Sequence, residues 1–334
     1  MAAVAPAVQC RFFEEIRRYV KAGISVEEAL AAIAEDRGPL QGPVRRMLKE
    51  IQNGAGFSAA CGATGMASGD MEQAVLDAAE RSGRLEQGCG YLAGWLQAKI
   101  AVRGRILKQM LYPLLLLHMA VFVGPLPKLV FGGGVVVYLK AALTLLFSVY
   151  GIAIVLFVVV TVLLAAGRRI GLIDAFWRAV PVVRRIWRDG ALGRFCGAMA
   201  AQLSAGIGPM DALPRAGRAG GTAMVRNQAN LAARKIAEDG RLAGSLRGGG
   251  AFPASLLRGL EAAERTGQLE EEFNRWADLY REQEVSAWDA LGEWLPKLLY
   301  LAIAMLVGWQ IIEAVKGIMG GYMNLIESIG DGTL

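Results

Sequence analysis

Residues 141–166 carry no charged side chain across AALTLLFSVYGIAIVLFVVVTVLLAA. At about 1.5 Å of rise per residue, a helix over this stretch reaches across the hydrocarbon core of a bilayer. Two further apolar runs stand at 110–127 (MLYPLLLLHMAVFVGPLP) and 294–315 (WLPKLLYLAIAMLVGWQIIEAV). Each opens beside a proline, Pro113 and Pro296, which mark membrane entry. The chain therefore reads as an all-α membrane protein with three transmembrane helices, and everything else must fit between and before those spans.

What lies before the first and third runs is the same thing twice. Residues 78–86 read AAERSGRLE and residues 262–270 read AAERTGQLE, differing only at Ser82/Thr266 and Arg84/Gln268. Upstream, Ala22-Gly23-Ile24 with Ala29-Leu30 matches Ala205-Gly206-Ile207 with Ala212-Leu213. The offset is 183 positions from Gly23 to Gly206 and 184 from Glu80 to Glu264. A period this long marks two homologous domains and is far beyond a solenoid repeat.

Within the first copy, Val8, Phe12, Phe13, Ile16, Tyr19 and Val20 recur at helical spacing and predict a helix ending at Gly23. Ser25 with Glu28 forms a capping box for a helix over 26–35, and Gly38-Pro39 breaks the chain. A third helix is expected over 43–52, a glycine-rich loop over 56–69, a fourth helix over 69–81 and a long fifth over 85–108. The second copy repeats the order, with helices to about 205, from 209, over 222–238, over 253–265 and over 269–290, and a glycine-rich loop at 240–250. No strand pattern occurs, so each copy is expected to be a small helical bundle. The expected domains are a bundle over 1–108, two spans with a short loop over 109–167, a second bundle over 168–292, a third span over 293–316 and a short tail over 317–334.

Charge placement sets the orientation. The sequence is 54% hydrophobic, with formal net charge +6, mean hydropathy +0.37 and pI near 9.2. Arg103, Arg105 and Lys108 precede the first span, and Arg168 and Arg169 follow the second, which is the excess expected on cytoplasmic flanks. Segment 125–140 is then a short outside loop. Phe176, Trp177, Val180, Val183, Ile186 and Trp187 interleaved with Arg178, Arg184, Arg185 and Arg188 suggest an interfacial stretch in contact with membrane lipids. No basic stripe interleaved with aromatics of the nucleic-acid-binding kind is visible, so no nucleic acid is expected as a partner. Cys10, Cys61, Cys89 and Cys196 are scattered and fit idle thiols. The N-terminal residues lack a basic region followed by an apolar one, so no cleaved signal is expected.

The chemistry that would make an enzyme is missing. The single histidine, His118, sits inside the first apolar run, where a neutral imidazole bonded to a neighbouring helix is the expected state. No lysine is followed by Ser or Thr, so there is no phosphate-cradling GxxxxGK[ST] loop. No catalytic residue, cofactor or metal site is expected. The site candidates are Gly23, Glu80, Gly83, Leu85 and their counterparts Gly206, Glu264, Gly267, Leu269. Two readings of Glu80 and Glu264 stand: part of a helix C-terminus closed by a left-handed glycine, with Arg81 or Arg265 favourable to the dipole, or polar anchors facing a partner or a cation. Glu293 and Glu313 flank the last span as snorkelling residues, and Gly317 with Gly321 forms a small-residue pair near its outer end.

The set of paired motifs in this order resembles the type II secretion F-protein/type IV pilus PilC family. It rests on AGI…AL and E-x-[ST]-G-x-L in both copies, on Tyr112-Pro113, on Val180-Pro181 leading to Arg194-Phe195, and on Phe252-Pro253. The match covers about residues 9–325. The first copy has no Phe-Pro before Glu80, and Ala79 and Ala263 stand where the family often has Gly. The chain begins almost at the first bundle, without the extension that many secretion-system members carry, which favours a pilus system of the type IVb class. The resemblance implies a multi-pass platform protein of the bacterial inner membrane, N-terminus cytoplasmic and C-terminus periplasmic. Its implied partners are a cytoplasmic assembly ATPase, pilin or pseudopilin, other inner-membrane assembly proteins and further copies of itself. A small transporter or permease subunit is the competing reading. It predicts several polar residues across the spans, where the sequence offers His118, Thr144, Ser148 and Thr161.

Overall fold

The computed structural model describes residues 4–131, 134–167 and 181–330, and every element among them is helical. Clustering of contacts divides the chain into two compact units, one of residues 1–103 and 164–288, the other of residues 104–163 and 289–334.

The first unit holds both copies of the repeat. The first copy comprises α1 (Pro6–Lys21), α2 (Val26–Glu35), α3 (Gln41–Gln52), α4 (Phe57–Thr64), α5 (Asp70–Arg81) and the start of α6 (Leu85–Val123). Its counterpart comprises α9 (Pro181–Ser204), α10 (Pro209–Ala219), α11 (Ala223–Asp239), α12 (Leu242–Ser245), α13 (Ala254–Thr266) and the start of α14 (Leu269–Gly330). Each copy buries an apolar stripe. Phe12, Phe13, Ile16, Leu30, Met47 and Leu76 are sealed in the first, and Leu192, Phe195, Leu213, Leu256, Leu260 and Phe273 in the second. Full burial of one such side chain stabilises by about 1.5–3 kcal/mol, so these stripes hold the helices together.

Matched turns end matched helices. Gly23 has φ +80° and Gly206 φ +75°, a region that costs an L-residue about 1 kcal/mol or more. There the Ile24 N–H donates to Tyr19 O and the Ile207 N–H to Gln202 O, both at 3.0 Å. These are the long bonds of a Schellman turn, and they satisfy carbonyls that a helix end leaves open. Helix α2 begins where Ser25 predicts it, and the Glu28 N–H donates to Ser25 Oγ at 3.3 Å.

Two stretches read as loops contain helix. Residues 57–64 form α4, with Phe57, Ala60 and Cys61 buried, and residues 242–245 form the short α12. The local sequence is too small and glycine-rich to show a period. Tertiary burial and a distant cap, described below, supply what local propensity does not.

The second unit contains α7 (Leu126–Phe131), α8 (Gly134–Gly167) and the later parts of α6 and α14. Three helices are long and apolar enough to cross a membrane. Leu111, Phe147, Ile152 and Phe157 stand outward, about 70% exposed, as lipid-facing side chains do. The prolines do not break their helices, since Pro113 lies inside α6 and Pro296 inside α14, both buried. Segment 125–140 carries α7 and the first turns of α8, and α14 continues to Gly330 where the sequence suggests a tail. The first part of the expected interfacial stretch, residues 176–180 with Phe176 and Trp177, lies outside the described residues; Val183, Ile186 and Trp187 belong to α9.

Candidate functional site

The duplicated glutamates have the same geometry in both copies. Glu80 on α5 accepts from the Phe57 N–H at 2.7 Å through Oε1 and from the Ser58 N–H at 2.9 Å through Oε2. Glu264 on α13 accepts from the Leu242 N–H at 2.6 Å through Oε1 and from the Ala243 N–H at 3.2 Å through Oε2. Each carboxylate thus sits at the N-terminus of a short helix, α4 or α12, and satisfies N–H groups with no intrahelical partner. The negative charge also faces the positive end of the helix dipole. Gly56 leaves the space, since a Cβ there would stand 2.7 Å from Glu80 Oε1.

The corner after each glutamate closes by a left-handed glycine, as the helix-end reading requires. Gly83 has φ +68° and Gly267 φ +74°. The Arg84 N–H donates to Ala79 O and the Gln268 N–H to Ala263 O, both at 2.9 Å. Leu85 and Leu269 then pack against the core as the next helix begins. In the first corner a Cβ on Gly88 would stand 2.5 Å from the Ala79 Cβ and 3.8 Å from Val75 Cγ1, so α6 crosses α5 in direct contact. In the second corner the small residue has changed helices. Gly259 takes the place of Val75, and Glu272 the place of Gly88. A Cβ on Gly259 would meet Glu272 Oε1 and Trp276 Nε1, whose mutual bond, donated by the indole, measures 2.7 Å.

Between the copies, α5 packs against α9 and α10. The Arg215 guanidinium lies 3.1 Å from Asp77, which also takes Arg81 of its own helix at 3.1 Å. The cleft there encloses about 450 Å³, with Asp70, Asp77 and Glu80 facing Arg215 and Arg218. Among the described residues no three metal-ligating side chains converge. Burial pushes the Cys61 thiol on α4 well above its ordinary pKa, and does the same for Cys196 on α9. These thiols are packing groups.

In the second unit, His118 Nδ1 lies 2.7 Å from Leu114 O and Nε2 2.9 Å from the Tyr150 hydroxyl. A carbonyl only accepts, so Nδ1 carries a proton, while Nε2 meets the tyrosine hydroxyl, a group that can donate or accept. His118 on α6 is therefore linked to α8 through the Tyr150 hydroxyl. Thr144, Ser148 and Thr161 each donate to a carbonyl four residues back in their own helix. Their hydroxyls are satisfied locally and do not compose a polar path. Gln310 was not legible as special. Its amide packs against Gly124, where a Cβ would lie inside it, and both amide atoms are buried without a hydrogen-bond partner among the described residues. Arg105 and Asp289 form a two-bond ion pair at 2.9 and 3.1 Å. Gly292 is buried and admits Gln109, whose Oε1 would lie 2.9 Å from a Cβ there. Gln109 and Gly292 stand four residues before Pro113 and Pro296, so α6 and α14 approach closely where each proline leaves a carbonyl without its usual donor.

Comparison with known proteins gives a consistent result. The family profile described as "Type II secretion system (T2SS), protein F" matches twice, over residues 12–131 and 195–313. Among relatives, the type IV pilus assembly protein TapC of Aeromonas hydrophila is 20% identical over 89% of this chain and 77% of its own length. The type 4 fimbrial assembly protein PilC of Pseudomonas putida is 25% identical over 70% of this chain and 63% of its own. The type II secretion system protein F of Aeromonas hydrophila is 24% identical over 91% of this chain and 84% of its own.

Proposed function

Because the chain belongs to the type II secretion system protein F family, to which its two profile matches assign it, we propose that it is the inner-membrane platform of a type IV pilus or type II secretion assembly machine. In this reading the repeat copies lie in the cytoplasm and dock a separate assembly ATPase. The three spans adjoin pilin or pseudopilin subunits leaving the bilayer, and the C-terminus is periplasmic. The observation that carries the reading is that each copy ends in a helix, α6 or α14, that runs on without a break into an apolar segment. Such a helix is a stiff element, so displacement of a bundle would reach the membrane without loss in a loop. Partner docking is assigned to the surface around the two corners, beside Gly83 and Gly267, whose glycines present an uncrowded turn. Gly23 and Gly206 are equally open and end the first helix of each copy. Each copy so provides a paired docking surface.

Deletion of the gene, followed by imaging of surface fibres and assay of secreted protein, tests the role. Loss of either, restored by the wild-type chain, is expected; normal fibres and normal secretion overturn it. Reporter fusions near residues 60, 132 and 245 test the topology. A cytoplasmic signal at 132 contradicts the proposed orientation. Co-purification of the full-length chain with the assembly ATPase of the same organism tests the docking, and Gly83→Val is expected to weaken it.

A further inference from the structure

Helix α9 crosses α14 over glycines. A Cβ on Gly190 would stand 2.6 Å from Glu284 Oε1, and one on Gly193 would stand 3.4 Å from the Tyr280 Cβ and 3.7 Å from Ala277 O. The first copy makes the same crossing between α1 and α6, where the Cys10 thiol donates to Ala93 O at 3.5 Å. By the offsets of the repeat, Gly193 answers to Cys10 and Ala277 to Ala93. The rest of the crossing differs. Where the first copy has Ala7 on α1 and Leu96 and Ile100 on α6, the second has Gly190, Tyr280 and Glu284. Leu96 is buried and Ile100 packs against the core, so the first crossing is an apolar interlock. The second sets a carboxylate on a bare stretch of backbone.

That carboxylate is poorly housed as an anion. Glu284 is half-buried, and burial raises its pKa above the ordinary carboxylate value. The groups that face it are Arg194 and Asp189 on α9, Lys99 on α6 and the Trp288 indole on its own helix. Arg194, Trp288 and Lys99 favour the charged form, Asp189 opposes it, and burial outweighs the favourable three. Arg194 is also engaged elsewhere, since its guanidinium donates to Gly220 O at 3.0 Å. Lys99 is exposed, with Nζ 4.9 Å from the centre of the Trp95 ring. Taking a charge out of water is costly unless a well-placed partner replaces the water. The crossing with an ionised Glu284 is therefore held less firmly than the neutral one, and no such cost falls on Ile100.

We propose that the crossing of α9 and α14 is a yielding joint, closed when Glu284 is protonated and released when it is ionised, while the crossing of α1 and α6 stays fixed. A carboxyl whose pKa is higher in the folded chain than in the unfolded one adds stability at low pH, and loses it as pH rises through the folded value. The first copy then holds its exit helix whatever the state of this proton, and the second lets its own go. For a platform, a consequence that rests on the reading above, the second bundle would act as a clutch between a docked motor and the third span.

Hydrogen exchange in the purified full-length chain tests the joint with no partner present, so its failure would leave the platform reading untouched. Local opening sets the protection of each segment. At pH 8 the amides over 276–287 of α14 are expected to be protected several-fold less than those over 92–103 of α6, their counterparts in the first copy. Glu284→Gln keeps the shape of the side chain and removes the charge. It is expected to slow exchange over 276–287 several-fold at pH 8 and to change it little at pH 5, each compared with wild type at the same pH. Glu284→Asp keeps the charge and is expected to keep the dependence on pH. Exchange in Glu284→Gln equal to or faster than wild type at pH 8 overturns the proposal. Slowing that reaches 92–103 to the same extent also overturns it, because the carboxylate would then act on the whole unit and not on one crossing.

Discussion

Replacement of Glu80 by alanine separates a structural corner from a docking residue. The substitution removes both acceptors at the start of α4, leaving the Phe57 and Ser58 N–H groups without their partner. Loss of a helix N-cap costs about 0.5–2 kcal/mol, and hydrogen bonds to a charged group contribute about 1.5–3 kcal/mol each. Water can reach this half-buried position and recover part of that, which places the net loss near 2 kcal/mol, at the upper end of the capping range. Such a loss raises the population of locally opened α4 about 30-fold. Cys61 reports it directly. The thiol is fully buried on α4, and burial holds its pKa high, so it stays unreactive until the helix opens. Labelling of the detergent-solubilised chain at pH 8, read by mass spectrometry, is expected to accelerate about 30-fold at Cys61 and to remain slow at Cys196. Glu80→Gln keeps one acceptor oxygen and is expected to fall between. If Cys61 labels at the wild-type rate in Glu80→Ala while co-purification with the ATPase is lost, the capping argument fails and the carboxylate is a contact residue.

Three further outcomes follow from the same geometry. Gly88→Ala drives a methyl to within 2.5 Å of the Ala79 Cβ, and overpacking of this kind costs about 1–3 kcal/mol, measurable as a lower thermal midpoint; an unchanged midpoint would mean that α6 does not cross α5 so closely. All four cysteines of the folded chain are expected to resist maleimide at pH 7 and to react together on unfolding, because each is buried. Tyr150→Phe removes the hydroxyl partner of His118 and is expected to cost about 0.6 kcal/mol, the average for bonds between membrane helices. His118→Phe with Tyr150→Phe should then cost little more than either alone, which a double-mutant cycle in detergent resolves.

The helices with strong periods were legible, because the information for them is local. Ser25 and Gly23 bracket a turn whose partners lie within five residues, and α1 ends and α2 begins where they place them. The glycine turns at 83 and 267 were legible for the same reason. Helix α4 was not. Its FSAACGAT sequence has no period to read, and the group that caps it lies 23 residues downstream on another helix. The role of Glu80 was hidden with it, since nothing in the sequence around the glutamate names the backbone it reaches. The three spans were visible from composition, but the unbroken course of α6 and α14 through Pro113 and Pro296 was not. Beside the prolines Gln109 and Gly292 come close together, which no local rule foretells. Gln310 escaped notice because one amide among apolar neighbours gains meaning only when Gly124 is seen beneath it.

The exchange of small and large partners at the two corners bears on how the duplication has been kept. Val75 opposite Gly88 and Gly259 opposite Glu272 are two solutions to one crossing, and they do not mix. A crossover that carried α13 into the place of α5 would set Gly259 against Gly88 and leave a void. The reciprocal exchange would press Val75 onto Glu272 and Trp276. Two stretches as alike as AAERSGRLE and AAERTGQLE invite recombination at the level of the gene, yet products joined within that stretch would pair helices that no longer fit. The compensated glycines make each copy a closed module, inherited with its own following helix, and so guard the pair against being averaged back into one.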